Sequence, residues 1–250
     1  MTPLTRDSIA RIVVGFWLAM TSLYFLPGVP KDFLVRLGDR YSTLPLWPWA
    51  AAACVYGISG VTNASERRFW YLQASSFLAL LAIEVPWAFS RGGHSLGWDL
   101  AAEVCYFIYY GCQLASAARS RGGEMRAAIA AGAAIVGLSL LAFISRDAYN
   151  GAWPSYLTYL AFDAAMIIVF MKQAAAARGE ARRSDAWPLI FYGLAITSAI
   201  GLIANTLDML TFEEWLHMPA GQRTDILWTL PPLCYALVAR FGRQRLETTP

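Results

Sequence analysis

The sequence predicts an all-α, polytopic transmembrane helix bundle of about eight spans, with both termini in the cytoplasm. Three observations predict it: long apolar runs recur along the chain, basic residues are distributed unevenly between the connections, and tryptophans sit near the ends of the runs. Composition points the same way. Hydrophobic residues make up 57% and charged residues 15%, against roughly 45–50% and about 25% in an ordinary globular chain. The mean hydropathy is +0.43. A soluble fold would have too little polar surface to cover itself, and there is too much apolar area to bury for the chain to stay disordered. The net charge of +3 is too weak for a protein that must neutralise a run of phosphates. The expected partner is therefore the lipid bilayer, with no nucleic acid.

The elements follow in order. The run at 8–27 is preceded by Arg6 and contains Arg11. It lacks a small-residue cleavage site after a short apolar core, so it reads as a retained helix rather than a signal peptide. Residues 28–45, with Pro30 and mixed charge, form the longest loop and are expected at the outer surface. The run at 46–63 is interrupted by Pro48 and two glycines. Further runs at 69–90, 95–118, 126–145, 153–175, 186–209 and 224–240 are each near or above the length that crosses a bilayer. The whole chain, 1–250, reads as one transmembrane domain: a leading span at 8–27, then a seven-span bundle over 46–240.

With the N-terminus inside, 14 of the 20 basic residues fall on the cytoplasmic side. Only Lys31, Arg36, Arg40, Arg91, Arg146 and Arg223 fall outside, which is the positive-inside asymmetry. Trp47, Trp49, Trp70, Trp87, Trp98, Trp153, Trp187 and Trp228 lie where an aromatic belt would place them.

Carboxylates inside a bilayer are costly unless they face the bundle interior and find partners, so each is a functional candidate. Helical spacing groups them. Gln73, Phe77, Leu80, Glu84 and Trp87 share one stripe; Asp99, Glu103, Tyr106, Tyr110 and Gln113 share another. Tyr156, Tyr159, Asp163, Met166, Phe170 and Gln173 form a third, and Ser198, Gly201, Asn205 and Asp208 a fourth. At 1.5 Å per residue, Asp163 lies roughly 15 Å, Glu103 about 12 Å and Glu84 about 9 Å below the outer ends of their helices. These stripes predict an acidic, aromatic-walled cavity in the outer half of the membrane, closed toward the cytoplasm. The structural alternative is that polar side chains act only as interhelical glue, and that Asp99, Asp208 and Asp225 are solvated near the outer mouth.

Several chemistries lack their residues. His94 and His217 both fall in outer loops, which leaves little for a histidine metal site. Cys54, Cys105, Cys112 and Cys234 lie inside apolar runs without CxxC spacing, and read as small hydrophobes. There is no glycine-rich nucleotide motif, no aspartate-rich prenyltransferase motif, and no mid-membrane lysine for retinal, because Lys172 sits at a helix edge and Lys31 in a loop. No metal and no cofactor are expected.

From about residue 46 onward the chain resembles the small integral-membrane terpene cyclases of fungal meroterpenoid and indole-diterpene pathways, which have bacterial relatives. The resemblance rests on Glu66-Arg67-Arg68 opening a helix that ends in Ile83-Glu84-Val85-Pro86-Trp87-Ala88-Phe89, on the interior acid Glu103 of the next helix, and on Leu227-Trp228-Thr229-Leu230. It implies that Glu84 is a general acid that protonates a terminal epoxide of a prenyl chain and starts a metal-free carbocation cascade. Glu103 and Asp163 would be supporting catalytic groups, and Trp87, Tyr106, Tyr110, Tyr159, Asn205 and Asp208 would line the substrate. The sequence departs from the family at two points: Ile83 stands where a Trp usually precedes the acid, and Pro231-Pro232-Leu233-Cys234-Tyr235 offers no Asp in the last helix. The chemistry is coherent with burial, since epoxide opening needs a protonated acid, a migrating cation is stabilised by aromatic faces, and exclusion of water prevents quenching.

The same layout is similar to eight-span bacterial membrane sensory modules, here without an output domain after the last span. A small proton- or cation-coupled transporter is a third reading, although inverted repeats and a broken-helix pair are not visible.

Overall fold

The computed structural model describes residues 7–37, 43–59, 61, 63–89, 96–117, 153–179, 186–212 and 225–248, and among them it is all-α. The helices are α1 (Ser8–Ser22), extended by a 3-10 turn over Leu23–Phe25, α2 (Lys31–Arg36), α3 (Thr43–Ile58) and α4 (Ala64–Phe89), then α5 (Leu96–Ala117), α6 (Trp153–Gly179), α7 (Ala186–Phe212) and α8 (Ile226–Thr248). The run expected as a span at 126–145 lies outside the described residues.

Among the described residues, four segments are long and apolar enough to cross a membrane: Ser8–Phe25, Ala64–Pro86, Tyr156–Arg178 and Ala186–Thr211. Ile226–Gly242 is a shorter apolar helix. The expectation of eight spans is thus met in part, for physical reasons. Helix α3 has 16 residues, about 24 Å at helical rise, short of the roughly 30 Å hydrocarbon core. Helix α5 is long enough but carries Asp99 and Glu103 in its first half.

Local chemistry sets the helix ends. Asp7 caps α1, its Oδ1 accepting from the backbone N–H groups of Ile9 and Ala10 at 3.0 and 3.2 Å. The outer-loop region of the sequence contains α2, which starts after Pro30 and places Asp32 in its first turn and Arg36 in its last, matching the helix dipole. Tyr24 donates to the Leu34 carbonyl at 3.0 Å and so ties this loop back to α1. Helix α3 starts three residues before the expected run and stops at Ile58, short of residue 63. Ser59 ends it by turning its N–H and hydroxyl back to the Tyr56 carbonyl. Helix α4 starts five residues early because Asn63 caps it, accepting from the Ser65 N–H at 2.9 Å.

The helices α3 to α8 close into a ring: α4 packs on α3 and α5, α8 on α3 and α7, α6 on α7, and α5 meets α6 across a thinner seam. Gly201 lets α7 approach Asp163 of α6 closely, whereas aromatics fill the α5–α6 seam, with Tyr110 and Phe162 stacked at 5.0 Å. Helix α1 lies outside the ring. Trp17 Nε1 donates to Thr229 Oγ1 at 2.7 Å, and Arg240 pairs with the capping Asp7 at 2.8 Å. The start of α1 and the later half of α8 therefore share one end of the bundle. Outward-facing residues are apolar in helical stripes: Leu189, Ile196 and Ile203 on α7, and Leu100, Val104 and Ile108 on α5 are all exposed. Apolar stripes around the outside of a ring suit lipid better than water.

Candidate functional site

The four polar stripes face one another at the end of the ring where α4 finishes and α5 begins. Glu103 and Asp163 are only 7% and 3% exposed, and Glu84 is half-buried. Asp163 sits between α6 and α7, opposite Gly201, where an added Cβ would lie 3.7 Å from the carboxylate. The carboxylate accepts from Asn205 Nδ2 at 2.6 Å and from the Tyr110 hydroxyl. Both partners are donors, so Asp163 is held as an acceptor in fixed orientation.

The two glutamates meet through tyrosines. Tyr159 of α6 hydrogen-bonds Glu103 of α5. The Tyr106 hydroxyl reaches to 3.4 Å from Glu84 Oε1 and also lies close enough to Glu103 to interact with its charge. The rings brace each other: Tyr106 on Tyr159 at 5.5 Å, Tyr110 on Tyr159 at 6.1 Å, and Tyr156 on Tyr159 at 6.3 Å. Near the start of α6 and the end of α7, Tyr156 donates to Asp208 at 2.7 Å. One cluster, drawn from α4, α5, α6 and α7, thus contains Glu84, Glu103, Asp163, Tyr106, Tyr110, Tyr159, Asn205 and Asp208. Trp87 belongs to the last turn of α4 and Asp99 to the first turn of α5, but both side chains lie outside the described part, as do His94 and His217.

Sequence reasoning missed an extension of the cluster. Tyr109 donates to Tyr235 of α8 at 2.9 Å, and Tyr235 also hydrogen-bonds Ser198 of α7. The signal was present as a tyrosine inside an apolar run, but Tyr109 lies off the stripe that carries Tyr110, and Tyr235 was noticed only as the absence of an Asp. At the other end of the ring a second polar group has different chemistry. Gln73 of α4 donates to Gln113 Oε1 and Ser116 Oγ of α5 at 2.9 and 2.8 Å, and Gln113 donates to Ser76 Oγ at 2.8 Å. Phe69, Phe170, Trp187 and Phe191 pack near one another at ring separations of 5.1–6.4 Å and fill the ring beside it.

Among the described residues, no three His, Cys, Asp or Glu side chains come together to hold a metal ion. What the acid cluster can do chemically is donate and accept protons and present negative charge and aromatic faces to a cation. Comparison with protein-family models, with curated proteins and with solved structures found no match for this chain.

Proposed function

We propose that this chain is an integral, multi-pass membrane enzyme of the terpene cyclase type, with both termini cytoplasmic, that cyclises a lipophilic prenylated epoxide by acid initiation. The observation that carries the proposal is the meeting of Glu84, Glu103 and Asp163 with Tyr106, Tyr110 and Tyr159 in one buried cluster drawn from four helices. Glue between two helices needs one matched pair, and neutral pairs suffice. Three acids and three tyrosines gathered in one cluster go well beyond that need.

In this reading Glu84 is the general acid. It is the least buried of the three and lies at the outer end of α4, where a prenyl epoxide entering from the membrane reaches it first. Its proton passes to the epoxide oxygen, the carbon–oxygen bond breaks, and neighbouring double bonds close onto the resulting cation. Asp163, clamped by Asn205 and Tyr110, presents its carboxyl oxygens to the migrating positive charge in a fixed orientation, and such a preorganised group needs no reorientation during the reaction. The faces of Tyr106, Tyr110 and Tyr159 stabilise the same charge through their quadrupoles. The Gln73–Gln113 group and the aromatic plug beside it keep the cytoplasmic end closed to water.

The test is to supply membranes containing the protein with terminal epoxides of prenylated phenols and to look for cyclised isomers by mass spectrometry. Isomers that disappear in Glu84→Gln membranes support the reading. A panel of such epoxides recovered intact, with the protein folded and inserted, rejects it.

A further inference from the structure

We propose that Tyr106 is a proton-relay residue that acts through Glu84, returning to it the proton that Glu103 collects at the end of each turnover. The inference rests on the reading of Glu84 as an acid that starts an isomerisation. Such a reaction consumes no net proton. The first step breaks the Glu84 O–H bond and protonates the epoxide, and the last breaks a C–H bond next to the final cation, leaving its electrons as a double bond. Between turnovers the acid must be recharged, and water admitted for that purpose would quench the cation.

The geometry offers an internal route. The Tyr106 hydroxyl is 3.4 Å from Glu84 Oε1 and within range of the Glu103 charge. Its ring is held against Tyr159 at 5.5 Å, and the Tyr159 hydroxyl bonds Glu103. A phenol oxygen is donor and acceptor at once, so it gives its own proton to one carboxylate while taking another from the second. A separation of 3.4 Å is long for an O–H···O contact. The negative charge left on Glu84 after it donates draws the hydroxyl in, and charge-assisted contacts are the shorter ones. The balance then closes: Glu103 takes the substrate proton, passes it to the Tyr106 oxygen, and the Tyr106 proton returns to Glu84.

The experiment is rapid-quench kinetics on the purified full chain in lipid vesicles, with the terminal epoxide of a farnesylated phenol as probe. Wild type should show no burst. Tyr106→Phe should form one product per protein molecule at the wild-type rate, then continue at a steady rate lower by roughly 10²-fold. Tyr235→Phe removes a more deeply buried hydroxyl outside the relay and should show no such split. Should Tyr106→Phe fail to fold, 3-fluorotyrosine at position 106 keeps the shape and makes the hydroxyl more acidic. It should shift the pH profile of the steady rate without changing the first turnover. A first turnover and steady rate that fall together, or an unshifted profile, overturns the relay. Absence of cyclised product from wild type overturns the cyclase reading itself, and the relay with it.

Discussion

Two polar clusters lie about 15 Å apart along α4 and α5, by helical rise, and they solve opposite problems. One of them, Gln73, Ser76, Gln113 and Ser116, repeats a Gln-x-x-Ser pattern on both helices. Its amide nitrogens and hydroxyls are all engaged, each serine also donating to the backbone carbonyl three residues earlier. Nothing in it is charged. The other cluster places carboxylates among tyrosines, with Asn205 Nδ2 2.6 Å from Asp163 and the Tyr106 hydroxyl 3.4 Å from Glu84. A closed neutral box fixes two helices in register, whereas carboxyls beside phenols can exchange protons. The comparison teaches that polar groups inside a helix bundle differ in kind, and that only the titratable ones are equipped for acid–base chemistry.

That contrast breaks most sharply at Glu84. Glu84→Gln should lower turnover by roughly 10²- to 10⁴-fold while thermal unfolding in detergent stays near wild type; equal loss of both would make the acid cluster structural. Asp163→Asn should come next, with a loss of roughly 10²- to 10³-fold in kcat and little change in KM, read from initial rates. Packing beneath both clusters is tested at Gly57, where an added Cβ would lie 2.7 Å from the Trp70 ring. Gly57→Ala should cost about 1–3 kcal/mol, measured by reversible denaturation in mixed micelles, and should leave kcat of the folded fraction alone. The smallest effect belongs to the box. A double-mutant cycle over Gln73→Leu and Gln113→Leu should give a coupling near 0.6 kcal/mol with turnover unchanged, and a large kinetic effect there would erase the distinction between the two ends.

The helices were legible because apolar run length is a local property, and the inward stripes were legible because 3.6-residue periodicity is too. Gln73, Phe77 and Leu80, which share a stripe, are all buried. Boundaries were less so: the start of α4 depends on the Asn63 cap and the end of α3 on Ser59, single polar residues just outside the apolar pattern. What the sequence could not convey is which stripes meet. Tyr110 finds Asp163 and Asn205 only because the ring order sets α5 beside α6 and α6 beside α7. Tyr235 becomes a neighbour of Tyr109 only because α8 closes that ring. Such pairings are long-range in sequence and carry no local signature.

The attachment of α1 has a consequence for biogenesis. Its cap residue and its indole are both satisfied by α8, through Arg240 and Thr229, more than two hundred residues downstream. A nascent chain that has emerged only as far as α7 offers Asp7 and Trp17 neither partner. Docking of α1 through these two contacts therefore requires α8 to be in place, while Val13 and Trp17 share an apolar cluster with Leu46 and Trp49 of α3.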